Sequence, residues 1–246
     1  MVIQSRSLAP ELTSALPTEP TIRYQFAETP TERIEAFRLV YENYLKKGLI
    51  SANEYRLRAT PFHLLPTTNT FVAKKQGHVF CTITLNGDGE LGLPMERIYP
   101  EQVAESRAEG YSIGEVTCLA MQGISLKNFL PIFIQLLRLM TQHARQYGMD
   151  RLMIATHPRH ARFYKKFMGY EQVGEEREYP SVKNALAVAC CLDFDKIDKH
   201  KPVLWNQIFE NPIPPDQLRP HPMTPYEIDM FCDVAAISEH CLPVGV

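Results

Sequence analysis

Two kinds of apolar pattern interleave along this chain, one at helical spacing and one in short β-rich runs. Ile34, Phe37, Tyr41 and Leu45 repeat every three to four residues, which places them on one stripe of a helix. Thr31 is its expected cap, Glu32 and Glu35 suit its positive end, and Gly48 is a natural stop. Ile22–Ala27 before it reads as a first strand. Thr70–Ala73 and Val79–Leu85 read as a hairpin joined by Lys74-Lys75-Gln76-Gly77, followed by a turn at Asn86-Gly87-Asp88-Gly89. A short helix is expected over Pro100–Arg107 and a strand over Ser112–Met121. Asn128–Tyr147 carries the clearest helical period, with Asn128 as cap, Pro131 in the first turn and Gly148 as stop. Arg151–Thr156 is a short apolar strand, Arg159–Met168 a basic helix ending at Gly169, and Ala185–Leu192 a last core strand. The order strand, helix, strands, helix, strand, helix, strand predicts an α/β (α+β) fold built on a mixed sheet.

The ends differ from this middle. Residues 1–20 carry Pro10, Pro17 and Pro20 among Ser and Thr without periodicity, and are expected to be a mobile tail. Residues 21–195 form the expected domain. Residues 196–246 are broken by Pro202, Pro212, Pro214, Pro215, Pro220, Pro222 and Pro225. This extension is expected to pack on the domain through short helices at Val203–Phe209 and Pro225–Ala236.

Composition narrows the function classes. Of 246 residues, 45% are apolar and 22% charged, and the formal net charge is −2, so no global charge points to nucleic acid or a membrane surface. Met1–Leu8 lacks a signal-peptide pattern, and the apolar run Phe129–Met140 is broken by Gln135 and Arg138. The six cysteines form no C-x-x-C pair, so neither a zinc site nor any other metal is expected. A reduced, cytoplasmic protein is expected. His157 and His160 frame a Pro-Arg turn with no third ligand, and read as surface residues.

Two segments are specific. Arg151-Leu-Met-Ile-Ala-Thr-His-Pro158 followed by Ala161-Arg-Phe-Tyr-Lys-Lys-Phe-Met-Gly-Tyr170 resembles the C-terminal half of the GNAT acyltransferase fold. Thr82-Ile-Thr-Leu85, Gly92-Leu-Pro-Met-Glu-Arg-Ile-Tyr99 and Gly114-Glu-Val-Thr-Cys-Leu-Ala-Met121 resemble the long-chain N-acyl amino acid synthases and, more distantly, the acyl-homoserine lactone synthases. The resemblance spans about Tyr24–Leu192. It implies a GNAT-like mixed twisted sheet flanked by helices, and transfer of a fatty acyl group from a phosphopantetheine thioester, as co-substrate, to an amino acid such as tyrosine. No separate cofactor is implied. Ser51-Ala-Asn-Glu-Tyr-Arg-Leu-Arg58 lacks the acidic pair that lactone synthases carry there, so a sulfonium substrate is not expected. Gln122-Gly-Ile-Ser-Leu-Lys-Asn128 has one glycine where pyrophosphate-binding loops carry several, which favours an acyl carrier protein donor over coenzyme A.

Candidate chemistry follows. Glu115 interrupts an apolar strand at the family's acidic position and is the candidate base; its bland alternative is a solvated or ion-paired carboxylate. The resemblance places the oxyanion at backbone N–H groups near Cys118 and Leu119, and Tyr164 where a phenol can protonate the leaving sulfur. Packing beside Phe163 and Phe167 explains Tyr164 equally well. Cys118 reads as a small residue at the substrate site rather than a nucleophile, since no basic partner is visible. Arg38, Arg56 and Arg58 are candidates for the acceptor's carboxylate. The resemblance singles out Arg38, whose alternative is a solvated helix face. Phe129 and Phe133, with Phe71 and Phe80, are candidate walls for the acyl chain or plain core. Arg159, Arg162, Lys165 and Lys166 form a basic face, either solvated or docking an acidic carrier protein, with Arg159, Arg162 and Lys166 on one side. Two rivals stay open: a coenzyme-A-dependent N-acetyltransferase of another amine, and a non-catalytic acyl-carrier or lipid-binding module.

Overall fold

The computed structural model describes residues 21–123 and 126–240, so the expected N-terminal tail, Cys241 and part of the Gln122–Asn128 loop lie outside the described residues. In chain order the elements are β1 (Arg23–Phe26), α1 (Pro30–Lys46), β2 (Thr68–Lys75), β3 (His78–Gly87), α2 (Pro100–Ala108), β4 (Ile113–Met121), α3 (Leu126–Gln146) and β5 (Arg151–Thr156). Next come α4 (Pro158–Phe163), β6 (Glu171–Gln172), β7 (Arg177–Tyr179), β8 (Ala185–Asp193), α5 (Phe194–His200), α6 (Trp205–Phe209) and α7 (Pro225–His240). The strands form one mixed sheet in the order β1-β2-β3-β4-β5-β8-β6, with β7 also on β8. Every pairing is antiparallel except β4 with β5. This is the GNAT-like architecture that the sequence predicts.

Local chemistry explains where the boundaries fall. The cap of α1 is Thr29, not Thr31: its hydroxyl accepts from the Glu32 N–H at 3.3 Å and Glu32 accepts from the Thr29 N–H at 3.1 Å. Pro30 takes the first helical position, where its missing N–H costs nothing. The hairpin turn is Gln76-Gly77, both at positive φ, so the lysines before it belong to β2. Asn86-Gly87 is strand, not turn. Asn86 is buried opposite Glu115 and donates to the Glu115 carbonyl at 3.3 Å and to Thr117 Oγ1 at 2.9 Å. Helix α3 starts at Leu126, so Asn128 and Pro131 lie inside it rather than at its cap and first turn. The basic helix changes to a π-turn at Tyr164–Met168 before Gly169 ends it in the left-handed region. Strands β6 and β7 are too short and polar to announce themselves by alternation.

Phe133, Leu136 and Met140 of α3 pack with Phe71, Ile83, Leu85, Leu152 and Leu192 of the sheet in the largest core. Leu204, Ile208 and Leu218 of the Pro-rich segment join that core. Buried polar groups tie the segment down: Gln142 donates to the Ile208 carbonyl at 2.6 Å, His143 donates to the Leu218 carbonyl at 2.7 Å, and Arg33 is ion-paired with Glu227. The cysteines at 81, 118, 190 and 191 are free and buried, and Cys232 is free and exposed. Among the described residues no helix is long and apolar enough to cross a membrane.

Where β3, β4 and α3 meet, packing leaves no room for a side chain. A Cβ on Gly114 would lie 2.7 Å from Met149 Sδ, 3.1 Å from Leu85 Cδ1 and 3.3 Å from the Asn86 carbonyl. The Met149 tip can bend, but Leu85 is fully buried and the Asn86 carbonyl is strand backbone. Gly114→Ala is therefore expected to destabilise the protein by about 1–3 kcal/mol, as overpacking does. Thermal melting checks this, and an unchanged midpoint would contradict it.

Candidate active site

The site grows from an irregularity in β4. Thr82 pairs with Ala120 and Thr84 with Thr117, so Cys118 and Leu119 together face Ile83. Cys118 sits at φ 54°, a left-handed conformation uncommon for a residue with a side chain. This is a β-bulge, which re-aims the strand and unpairs part of its ladder. On the other side β4 pairs with β5 only from Ile113 to Glu115, while β5 pairs with β8 along its whole length. The parallel strands therefore part after Glu115, and the bulge faces the opening. Backbone N–H groups there can stabilise an oxyanion without any side chain.

Glu115 stands at the point of divergence. It is 2% exposed, and its Oε2 accepts from the Met95 N–H at 2.7 Å. Burial pushes its carboxyl up to about 8, with the Glu96 charge adding to the effect and the Met95 N–H opposing it. Among the described residues no cation pairs with it, and its burial sets aside the solvated alternative. A carboxyl of this kind can accept a proton near neutral pH.

Around it gather side chains from distant segments. The Glu115 charge reaches Tyr44 of α1, Cys118 and Tyr179 of β7. Burial raises both phenols strongly. Tyr179 donates to the Pro94 carbonyl at 2.9 Å. The Arg58 guanidinium stands 5.1 Å from the Tyr44 ring and donates to the Ser181 carbonyl at 3.3 Å; its charge also reaches His63, Cys118 and Tyr179. Its Nε is buried without a partner, and so is Nε2 of His63. His63 Nδ1 accepts from the Thr60 N–H at 3.0 Å, which puts the ring proton on Nε2. Burial and Arg58 hold the ring neutral, its pKa down to about 4. Buried N–H donors without acceptors are rare, and here they lie in the same charged neighbourhood.

The structure separates the three candidate arginines. Arg58 joins the cluster, its segment pinned by its own N–H to the Phe37 carbonyl at 3.1 Å. Arg56 takes φ 51° and stands exposed, and Arg38 is exposed on α1; neither is brought to the site. Tyr164 is near Tyr44, burial raises it to about 12, and its ring meets Phe133, Phe163 and Tyr170. Leu119 is half-buried on the bulge. Phe129 stacks on Phe133 at 5.2 Å, continuing an aromatic row to Phe163. Phe71 lies in the same core, its ring against Phe26 and His143. Arg159, Arg162 and Lys165 are exposed and line a groove of about 510 Å³ with Gln172 and Glu176. Lys166, exposed on the π-turn, stands over the Phe167 ring at 5.4 Å.

Tyr44, His63, Tyr179 and the Met95 N–H are not singled out by the sequence reading. Only the last of these falls in a segment, Gly92–Tyr99, that carries the family resemblance.

Comparison with known proteins agrees with this geometry. The family model for N-acyl amino acid synthase FeeM matches residues 35–193. The solved structure of FeeM, from uncultured soil microbes, is 28% identical, covers 75% of this chain and 96% of its own, and superposes with a TM-score of 0.65. The AHL synthase LasI shares the fold at 11% identity, covering 79% and 98%, with a TM-score of 0.56. MesI, a CoA-dependent acyl-homoserine lactone synthase, does so at 16%, covering 91% and 100%, with a TM-score of 0.50. No curated protein matches the chain. The family match spans the bulged strand, the buried Glu115 and the parting of β4 from β5, and by it this chain belongs to the N-acyl amino acid synthase FeeM family of acyltransferases.

Proposed function

We propose that this acyltransferase joins a long-chain fatty acyl group, carried as a phosphopantetheine thioester on acyl carrier protein, to the amine of an amino acid, with tyrosine as the acceptor. The observation that carries the reading is Glu115: a buried carboxyl that no described residue pairs with a cation, at the fork of β4 and β5, within the cluster that contains Arg58. The acceptor's carboxylate lies on Arg58, and its ammonium gives a proton to Glu115. The free amine attacks the thioester carbonyl and the oxyanion is held by backbone N–H groups near Cys118 and Leu119; on collapse Tyr164 protonates the departing thiolate and recovers the second proton that the nitrogen sheds. One C–N bond forms and one C–S bond breaks, with no covalent enzyme intermediate. Phe129 and Phe133 flank the acyl chain. Residues 21–195 are the catalytic domain, residues 196–246 an extension whose described part braces it, and the cytoplasm is the compartment.

The fold alone is compatible with either kind of thioester, since MesI is CoA-dependent. The glycine-poor start of the loop after β4 and the basic groove support a carrier protein. Carrier proteins are acidic, and rim charges act on encounter more than on the bound state. Arg162→Glu combined with Lys165→Glu is expected to raise KM for acyl carrier protein by about tenfold at low salt while leaving kcat nearly intact. A short free thioester should respond to neither change. A carrier KM that stays put at low salt would assign the groove to solvent.

A further inference from the structure

Among the described residues, the Glu115 side chain takes its hydrogen bond from a backbone that needs holding. The Met95 N–H belongs to the 3-10 turn Pro94–Arg97, which lies on no strand. The turn is closed by Glu96, whose Oε1 accepts from the Leu93 N–H at 2.6 Å. The same carboxylate accepts from Arg107 of α2 through Nη1 at 2.8 Å and Nη2 at 2.5 Å. Arg107 also grips Asp88 bidentately, Nε and Nη2 each at 2.7 Å. Asp88 follows β3 directly and its N–H donates to the Ile113 carbonyl at the start of β4. One guanidinium thus joins the strand ends beside Glu115 to the turn above it. The fit is close: a Cβ on Gly92 would fall 2.3 Å from Glu96 Oε1 and 3.2 Å from Arg107 Nη2.

We propose that Arg107 is a positioning residue for Glu115: by clamping Asp88 and Glu96 together it fixes the turn whose Met95 N–H holds the buried carboxylate. Arg107 touches no reacting atom. It acts through Glu96 in two ways, holding the turn in register and neutralising the nearest anion to Glu115. The other titratable groups facing Glu115 are Tyr44 from α1, Cys118 on β4 and Tyr179 from β7; Arg107 bonds to none of them, while Tyr179 separately donates to the Pro94 carbonyl of the same turn. Asp88, Glu96 and Arg107 are each about one-third exposed, so the effect is a modest one. That Glu115 is the base rests on the function proposed above, whereas the clamp itself does not.

Two substitutions have opposite signs. Arg107→Met leaves Glu96 negative and unpaired and slackens the Met95 N–H, both of which favour the protonated carboxyl. Glu96→Gln removes the anion, while its amide oxygen can still accept from Leu93. The test is a ¹³C titration of the full-length protein labelled at Glu carboxyls, with the Glu115 signal identified by its loss in Glu115→Gln. The Glu115 midpoint should rise by about half a pH unit or more in Arg107→Met and fall by a similar amount in Glu96→Gln. A general loosening of the fold would move both variants the same way, and that result, or no movement in either, overturns the proposal. The acid limb of kcat/KM reads the other question separately: it tracks the titration where Glu115 is the base, and a titration that moves without the limb removes the base while leaving the clamp.

Discussion

Glu115→Gln is expected to lower turnover by about 10²–10⁴-fold, the usual worth of a general base. The substitution keeps the shape of the side chain, and its amide oxygen can still accept the Met95 N–H that Glu115 accepts at 2.7 Å. Because burial raises the carboxyl to about 8, wild-type kcat/KM should climb with pH up to that value and then level, and the variant should lack the limb. Stability should change the other way. The folded protein holds the Glu115 proton up to about pH 8, whereas an unfolded chain releases it near the ordinary 4.5. Stability therefore falls as pH rises through that window, since the folded state binds the extra proton. Glu115→Gln should melt above the wild type, with the gap widening from pH 5 to pH 8. A variant that is both more stable and less active cannot owe its lost activity to unfolding. Activity within a few-fold of wild type, with the limb intact, would remove Glu115 from the chemistry.

Arg58→Met carries the second largest effect. The side chain reaches over Tyr44 and keeps a buried Nε without a partner, so its removal takes away a charged donor that the acceptor's carboxylate can use. Hydrogen bonds to charged groups are worth about 1.5–3 kcal/mol, which corresponds to a KM for the amino acid raised roughly 10- to 150-fold. An amine of the same shape without a carboxylate, such as tyramine beside tyrosine, should be a poor acceptor for the wild type and no poorer for the variant. Arg38→Met and Arg56→Met, on exposed side chains, should leave both constants near wild type. Equal losses for tyrosine and tyramine would show that Arg58 serves the fold and not the carboxylate.

The two kinds of information are legible to different depths. Glu115 is visible in sequence because a carboxylate inside Ile113–Met121 conflicts with its surroundings. The longer strands, α1 and α3 are visible because their apolar periods are strong, whereas β6 and β7 carry none. Arg58 cannot be told from Arg56 by pattern, since the choice rests on the backbone at Arg56 turning to φ 51°. The bulge is hidden for a similar reason: Cys118 takes a conformation usually signalled by glycine. Tyr44, His63 and Tyr179 come from three separate segments and meet Glu115 or Arg58 only through tertiary packing, so no local spacing announces them. The π-turn at Tyr164–Met168 is hidden too, since the apolar and basic spacing there fits a regular helix.

The most direct measurement is a mass spectrum of what the purified enzyme makes from a long-chain acyl thioester on acyl carrier protein and a mixture of the amino acids. The account predicts an amide-linked N-acyl amino acid, led by the tyrosine adduct, appearing together with free carrier thiol and strongly reduced for Glu115→Gln. A thioester that is retained unchanged, or acyl transfer confined to amines that lack a carboxylate, would contradict it.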